Sequence, residues 1–193
     1  MLRSAGSALK ADIGLIDVGP NLGAINRCAL VSADFVVAPI GADLFSIRGL
    51  QNVGPKLKAW RLEWNDRRGR APSNLGFNLP QGNMRPVGYV VSRYSSRGSG
   101  AAKAFQRWLD RAPQTYSQAV LDNPAPSSLA DSNRLAQLKD YRSLMPMAQE
   151  ARKPLFLLKP ADGAIGGHQA AVHECYKDFD ELAMNIEERI GMT

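Results

Sequence analysis

Two short apolar runs, each followed by a helical pattern, constrain the fold of this chain more than any other feature. The runs cover residues 13–16 and 35–40. After each run come turn residues and then apolar side chains at helical spacing. This repeated order of strand, loop and helix is typical of a parallel sheet covered by helices. The first run is closed by an acid, Asp17, at the strand end where open α/β sheets bind ligands.

The middle of the chain continues this α/β pattern. We predict a long helix from residue 43 toward 66, which Gly54-Pro55 either kinks or divides in two. An excursion loop over 67–84, a strand over 86–93 and a helix over 100–111 are predicted next.

The last third carries weaker patterns and one strong one. Proline-rich residues 112–128 predict irregular structure. The remaining predictions are a short helix over 131–141, a helical turn over 146–152, a last strand over 154–158 and an amphipathic helix over 169–190.

Composition indicates a single domain with a real hydrophobic core, because 45% of the 193 residues are hydrophobic. Cys28 and Cys175 lie far apart and suggest no disulfide framework, so we expect a reduced, cytoplasmic compartment. No apolar run approaches the length of a membrane span. The net charge of +6 favours polyanionic partners, nucleic acid first.

Three segments follow one another in a recognisable order, namely ID-x-G-P-x-L-G from Ile16, A-D-x-V-V-x-P from Ala33 and D-L-F-S-I-x-G-L from Asp43. This order of motifs resembles the Walker B and switch II region of the ParA/MinD-type partition ATPases. Two later segments match as well, GYVVSRY from Gly88 and KPADG from Lys159. The resemblance implies a P-loop NTPase-like fold, ATP and Mg²⁺ as cofactors, non-specific DNA binding, and a homodimer or a partner partition protein.

Individual positions follow from this resemblance. Asp17 matches the Walker B acid, which helps to hold hydrated Mg²⁺ in the family. Ser92 stands where many members have an adenine-contacting Asn, which is a departure from the family pattern. The positions implied as nucleotide-binding are Asp17, Gly19, Pro20, Ser92, Arg93, Pro160 and Asp162.

The sequence lacks half of a nucleotide site. No Gly-Lys-Ser or Gly-Lys-Thr occurs, so the phosphate cradle of P-loop proteins is absent from these 193 residues. The chain therefore resembles the family without its first strand and Walker A loop, and we expect it to be catalytically incomplete. Whether upstream sequence was lost stays open at this point. Without that central strand, residues 13–17 would present unpaired backbone groups along an apolar edge.

Basic residues crowd the long helix and its exit. The candidates for DNA contact are Lys56, Lys58, Arg61, Arg67, Arg68 and Arg70. A solvated helix face explains the group equally well. The alternative to a ParA-like ATPase homologue is a non-enzymatic DNA-binding or dimerisation module derived from the same fold.

Overall fold

The computed structural model describes residues 2–19, 21–94, 106–121, 123 and 131–192. Within these residues the chain is α/β, with a parallel sheet flanked by helices, which confirms the predicted fold class. The helices are α1 (Leu2–Leu9), α2 (Ala24–Ser32), α3 (Leu44–Gly69), α4 (Ala112–Ala119), α5 (Leu144–Ala151) and α6 (Gly167–Ile190). The strands are β1 (Phe35–Gly41), β2 (Arg85–Tyr94) and β3 (Arg134–Lys139).

Strand β2 is the centre of the sheet, with β1 parallel to it on one side and β3 parallel on the other. The register places Phe35 opposite Arg85 and Gly41 opposite Ser92. All five residues from 87 to 91 are buried. A strand that is buried without alternation is covered on both faces, as in other parallel sheets.

Helix α3 links β1 to β2 and packs against two separate parts of the core. Asp43 caps its start, because the carboxylate accepts a 2.8 Å hydrogen bond from the Ser46 backbone N–H. The sequence left open whether Gly54-Pro55 kinks one helix or divides two. The structure has one continuous helix with Pro55 inside it. The first half joins a cluster with β1, β2 and α4, namely Ile40, Ala42, Ile47, Leu50, Tyr89, Val91, Leu109, Ala112 and Tyr116. The second half packs with α2 through Val31, Leu57, Trp60 and Met84.

Gly54 is where α3 and α4 approach most closely. A Cβ at this position would lie 2.0 Å from the backbone carbonyl oxygen of Ala119. Only glycine fits this contact, because no side-chain carbon tolerates a backbone oxygen at that distance. The mutual position of α3 and α4 therefore depends on this residue.

The C-terminal part of the chain packs along β3. The Asn185 side chain of α6 donates a 2.8 Å hydrogen bond to the Leu135 carbonyl of β3. Tyr141 donates a 2.7 Å hydrogen bond to Asp178, also on α6. A third cluster lies between α5, the segment after it and α6, and consists of Leu144, Leu158, Ala164 and Val172.

Several predicted elements are confirmed. Strands β1 and β2, the long helix α3, the helical turns of α5 and the C-terminal helix α6 lie where the patterns place them. Of the excursion loop predicted over 67–84, residues 70–84 carry no helix or strand, as expected, whereas residues 67–69 form the end of α3. For the predicted helix over 100–111, residues 106–109 are helical and 100–105 lie outside the described residues.

The predicted strand at residues 13–17 is wrong. This stretch has neither helix nor strand, and the exposed fraction of Leu15 is 90%. A strand requires a neighbour for its backbone groups, and none pairs with this stretch within the described part of the chain. The apolar pattern of a strand is present, but no strand among the described residues pairs with it.

The predicted short helix over 131–141 is also wrong, because residues 134–139 form strand β3. The segment R-L-A-Q-L-K consists of good helix formers. Pairing with β2 and burial of Leu135, which is 3% exposed, override that local preference.

Two further expectations fail for reasons connected with proline. The last strand predicted over 154–158 is a single 3-10 turn, Leu155–Leu157. Pro154 and Pro160 bracket it and lack the backbone N–H that a ladder needs.

Residues 112–119, predicted to be irregular, form α4, because Pro113 stands in the first helical turn, where no N–H is required.

We predict that Gly54→Ala destabilises the protein by about 2 kcal/mol, because the added methyl group forces α4 away from α3. Urea denaturation followed by circular dichroism measures the free energy of unfolding. Gly49→Ala is the matched control, since it lies on the same helix with no atom within 4 Å of the new Cβ. There the better helix propensity of alanine leaves stability unchanged or raised. Equal free energies for the two variants would contradict the assigned role of Gly54.

Candidate functional site

Asp17 lies in the extended segment between α1 and α2, exposed to solvent. Its carboxylate makes no hydrogen bond or ion pair with any residue that the structure describes. The turn after it is anchored, because the Asn26 side chain of α2 donates hydrogen bonds to the carbonyls of Gly19 (2.9 Å) and Asn21 (2.7 Å). Pro20, the other predicted turn residue, lies outside the described residues. Asp17 is therefore an accessible carboxylate next to a turn that is fixed to a helix.

The side chains before Asp17 give this segment an apolar surface. Ile13 and Ile16 are 40% and 39% exposed, and Leu15 is 90% exposed. Folded chains normally bury residues of this kind. The segment therefore has the exposed apolar character expected of the Walker B-like run in the absence of a neighbouring strand.

A polar network occupies the carboxyl edge of β1 and β2. The Gly41 backbone N–H donates a 2.8 Å hydrogen bond to the Ser46 hydroxyl, which lies 3.2 Å from the second carboxylate oxygen of Asp43. From the neighbouring strand, the Ser92 hydroxyl donates a 3.3 Å hydrogen bond to the Ile40 carbonyl. Ser92 thus lies at the predicted edge of the sheet, with its hydroxyl used by β1. Arg93 belongs to β2, and its side chain is outside the described residues.

Asp43 and Ser46 did not emerge from the sequence as site residues. Their spacing, an Asp three residues ahead of a Ser at the start of a helical pattern, is a capping signal that could have identified them. Both side chains hold the turn between β1 and α3 in place.

Pro160 and Asp162 form a separate, tightly bonded turn. Pro160 is exposed and opens the 3-10 turn Pro160–Asp162. Both carboxylate oxygens of Asp162 contact the Lys153 ammonium group, at 2.7 and 2.8 Å. The Lys159 backbone N–H donates a further 2.9 Å hydrogen bond. The Lys153 hydrogen bonds and then the Lys159 N–H lower the pKa of Asp162 below its ordinary value.

The basic residues at the end of α3 are partly neutralised. Arg67 pairs with Glu63 at 3.5 Å and Arg70 pairs with Asp66 at 2.7 Å. Both pairs join residues four apart on the exposed helix surface, an arrangement that stabilises helices modestly. These two arginines therefore carry acid partners of their own.

The other basic candidates on α3 differ in exposure. Lys56 and Lys58 are exposed, whereas Arg61 is half-buried and its Nε has no hydrogen-bond partner in the described structure. Arg68 donates a 3.3 Å hydrogen bond to the Gln81 carbonyl. At about 100° per residue, Arg61 points roughly 140° away from Lys56 around the helix. The six predicted DNA contacts therefore do not form one continuous face.

The described residues do not complete a site for ATP and Mg²⁺. No hydrogen bond or ion pair between described residues joins Asp17, Ser92 and Asp162. Neither does any group of three or more His, Cys, Asp or Glu side chains in the described ranges form a metal-binding cluster. The sequence also lacks a phosphate cradle. We therefore assign no hydrolytic step to these residues.

Comparison with protein families yields one match. A family model described as an AAA domain matches residues 8–67. The matched segment contains Asp17, Gly19, β1 and most of α3, and in this segment the chain is similar to a P-loop AAA-type domain. This class is compatible with the resemblance to ParA/MinD-type ATPases. No curated protein and no solved structure matches the chain. Among the described helices, none combines the length and the hydropathy that a bilayer crossing requires.

We predict that Asp162→Asn lowers the melting temperature at pH 7, because it removes the carboxylate that Lys153 and the Lys159 N–H contact. Since the folded pKa of Asp162 is depressed, its stabilising effect is present above the ordinary aspartate pKa of about 3.9. That effect is lost as the pH falls through the folded pKa. Thermal melts of both proteins at several pH values should show the difference narrowing toward acid.

Asp180→Asn is the control for this experiment. Asp180 is exposed on α6 and has no partner among the described residues. The same loss of charge there should leave the melting temperature nearly unchanged. A melting difference for Asp162→Asn that stayed constant down to strongly acidic pH would argue against the ion pair as its source.

Proposed function

We propose that this chain is a ParA/MinD-like ATPase homologue that takes part in plasmid or chromosome partitioning in the cytoplasm. The observation that carries the proposal is the AAA domain match over residues 8–67. It covers the stretch whose motif order resembles the Walker B and switch II region of those ATPases. The parallel sheet and the Asp43-capped helix after β1 agree with that origin.

In this proposal the chain supplies part of a nucleotide site. Asp17 offers an accessible carboxylate of the type that holds metal-bound water, beside the turn that Asn26 fixes through the Gly19 carbonyl. Bound ATP·Mg²⁺ would supply the phosphoryl group for transfer. The phosphates would need a backbone cradle and a lysine that this sequence does not contain. The chain by itself is therefore a catalytically incomplete homologue, and a homodimer or a partner ATPase would provide its functional context.

A second candidate is a non-enzymatic module that binds DNA or dimerises. The observation that favours it is the exposure of Lys56, which has no partner in the described structure, together with the net charge of +6. Contacts of lysine and arginine with phosphates give sequence-independent affinity that falls steeply with salt. The ATPase homologue and the DNA-binding form of this module therefore share non-specific DNA binding, and they differ in whether ATP alters it.

We expect the purified chain to bind two unrelated DNA duplexes with similar affinity that decreases steeply as salt rises. Fluorescence anisotropy with labelled duplexes over a salt series, with and without ATP·Mg²⁺, measures this. The variant Lys56→Gln should bind more weakly, with a logarithmic salt slope reduced by about 0.9 for the lost phosphate contact.

The control variant is Lys10→Gln/Lys177→Gln, which removes two exposed positive charges that lie away from α3. It should retain most of the affinity. Absence of DNA binding even at low salt would remove the DNA-binding form of the second candidate and would count against a partitioning role for the first. Binding without any response to ATP, including when a full-length ATPase of the family is added, would favour the non-enzymatic module. Turnover of ATP by the purified chain alone would refute its catalytic incompleteness.

A further inference from the structure

A polar cleft of about 380 Å³ lies between the first turns of α3 and the segment that leads into and through α4. Its size falls within the range of small-molecule sites, roughly 300 to 1,000 Å³. Helix α3 starts directly after β1, so the cleft lies near the carboxyl edge of the sheet. This is the edge at which open parallel sheets bind ligands.

The cleft has a closed floor and a charged rim. Ile47 and Thr115, which are 5% and 9% exposed, form the floor. The rim carries two guanidinium groups and three side-chain amides, contributed by Arg48, Arg111, Gln51, Gln114 and Gln118. No acidic side chain lines the cleft within the described residues.

Neither Arg48 nor Arg111 has an acidic partner among the residues that the structure describes. The Arg111 guanidinium instead stacks on the Trp108 ring, 4.8 Å from its centroid. Stacking fixes the plane of the guanidinium group while leaving its N–H donors directed outward. Two positive groups thus face one concave surface on which no described residue offers them a counter-ion.

The walls of the cleft are held at a fixed separation. Helices α3 and α4 touch at Gly54 and the Ala119 carbonyl, at the far end of the same helix pair. Ala112 and Tyr116, both 1% exposed, fix the inner face of α4 in the core. Four of the rim side chains therefore project from α3 and α4, and Arg111 directly precedes α4 as its N-cap residue. Sites on regular elements of this kind are held precisely.

We propose that this cleft binds a small anionic ligand through Arg48 and Arg111, with the rim glutamines hydrogen-bonding to its other polar groups. The shared chemistry is an oxyanion, phosphate or carboxylate, because the planar guanidinium fork matches both. Glutamine amides both donate and accept hydrogen bonds, so they suit a ligand with hydroxyl or carbonyl groups beside its anionic end. This inference does not depend on the proposed function.

Isothermal calorimetry with pyrophosphate and, separately, with citrate tests the proposal on the full chain at low salt. We expect wild type to bind at least one of these anions, and Arg48→Gln/Arg111→Gln to bind it at least about tenfold more weakly. If pyrophosphate binds and citrate does not, the ligand of the cleft is a phosphate. If citrate binds and pyrophosphate does not, the ligand is a carboxylate. The variant Arg48→Lys/Arg111→Lys keeps both positive charges but lacks the planar guanidinium groups. Its affinity should lie between that of wild type and that of the glutamine variant.

Arg107→Gln/Lys177→Gln is the matched control, because it removes two exposed positive charges that do not line the cleft. It should bind like wild type, and circular dichroism melts of every variant establish that each is folded. Failure of wild type to bind either anion would overturn the proposal. If the control and the cleft variants lost anion affinity equally, the proposal would also be overturned, because the loss would then follow from net charge alone. If the glutamine variant does not fold, unaltered binding by the folded lysine variant would count against the guanidinium forks.

Discussion

The structure depends first on the hydrogen bonding of β2 to a parallel strand on each side. That pairing buries residues 87–91 without interruption and sets the positions of the segments that connect the strands. Parallel strands require long crossover connections, and here α3 forms one of them. Because α3 begins at the carboxyl end of β1, the pairing also places Asp43, Ser46 and Ser92 at one edge of the sheet. The polar network at that edge therefore follows from the order of the strands.

A second constraint is the absence of a partner for the segment that precedes α2. Its apolar side chains, Leu15 above all, stay in contact with solvent, and its backbone has no ladder within the described structure. Unpaired apolar segments of this kind favour association with another chain. Asp17 lies at the end of this segment, so the stretch that resembles the Walker B motif has few tertiary contacts within the described structure.

Electrostatics divides the basic residues into groups with different roles. Arg67 and Arg70 are engaged by acids on their own helix, and exposed pairs of this kind contribute little to stability. Arg48 and Arg111 have no acidic partner in the described residues and share a concave surface with glutamine amides. Charge count alone cannot separate these groups, because the difference lies in what each guanidinium contacts. The cleft between α3 and α4 emerges as a site only from those contacts.

The sequence by itself determined β1, β2, α3 and α6, because apolar periodicity acts within one element. It also placed Ser92 at the carboxyl edge of β2, and it identified the missing phosphate cradle. Tertiary structure alone decided that residues 134–139 form a strand despite their helical composition, and that residues 13–17 form none. Only the tertiary structure places Arg48 and Arg111 in the lining of one cleft, since they lie 63 positions apart in the chain. Strand pairing and close helix contacts such as that at Gly54 join distant segments, and no local pattern encodes which segments meet.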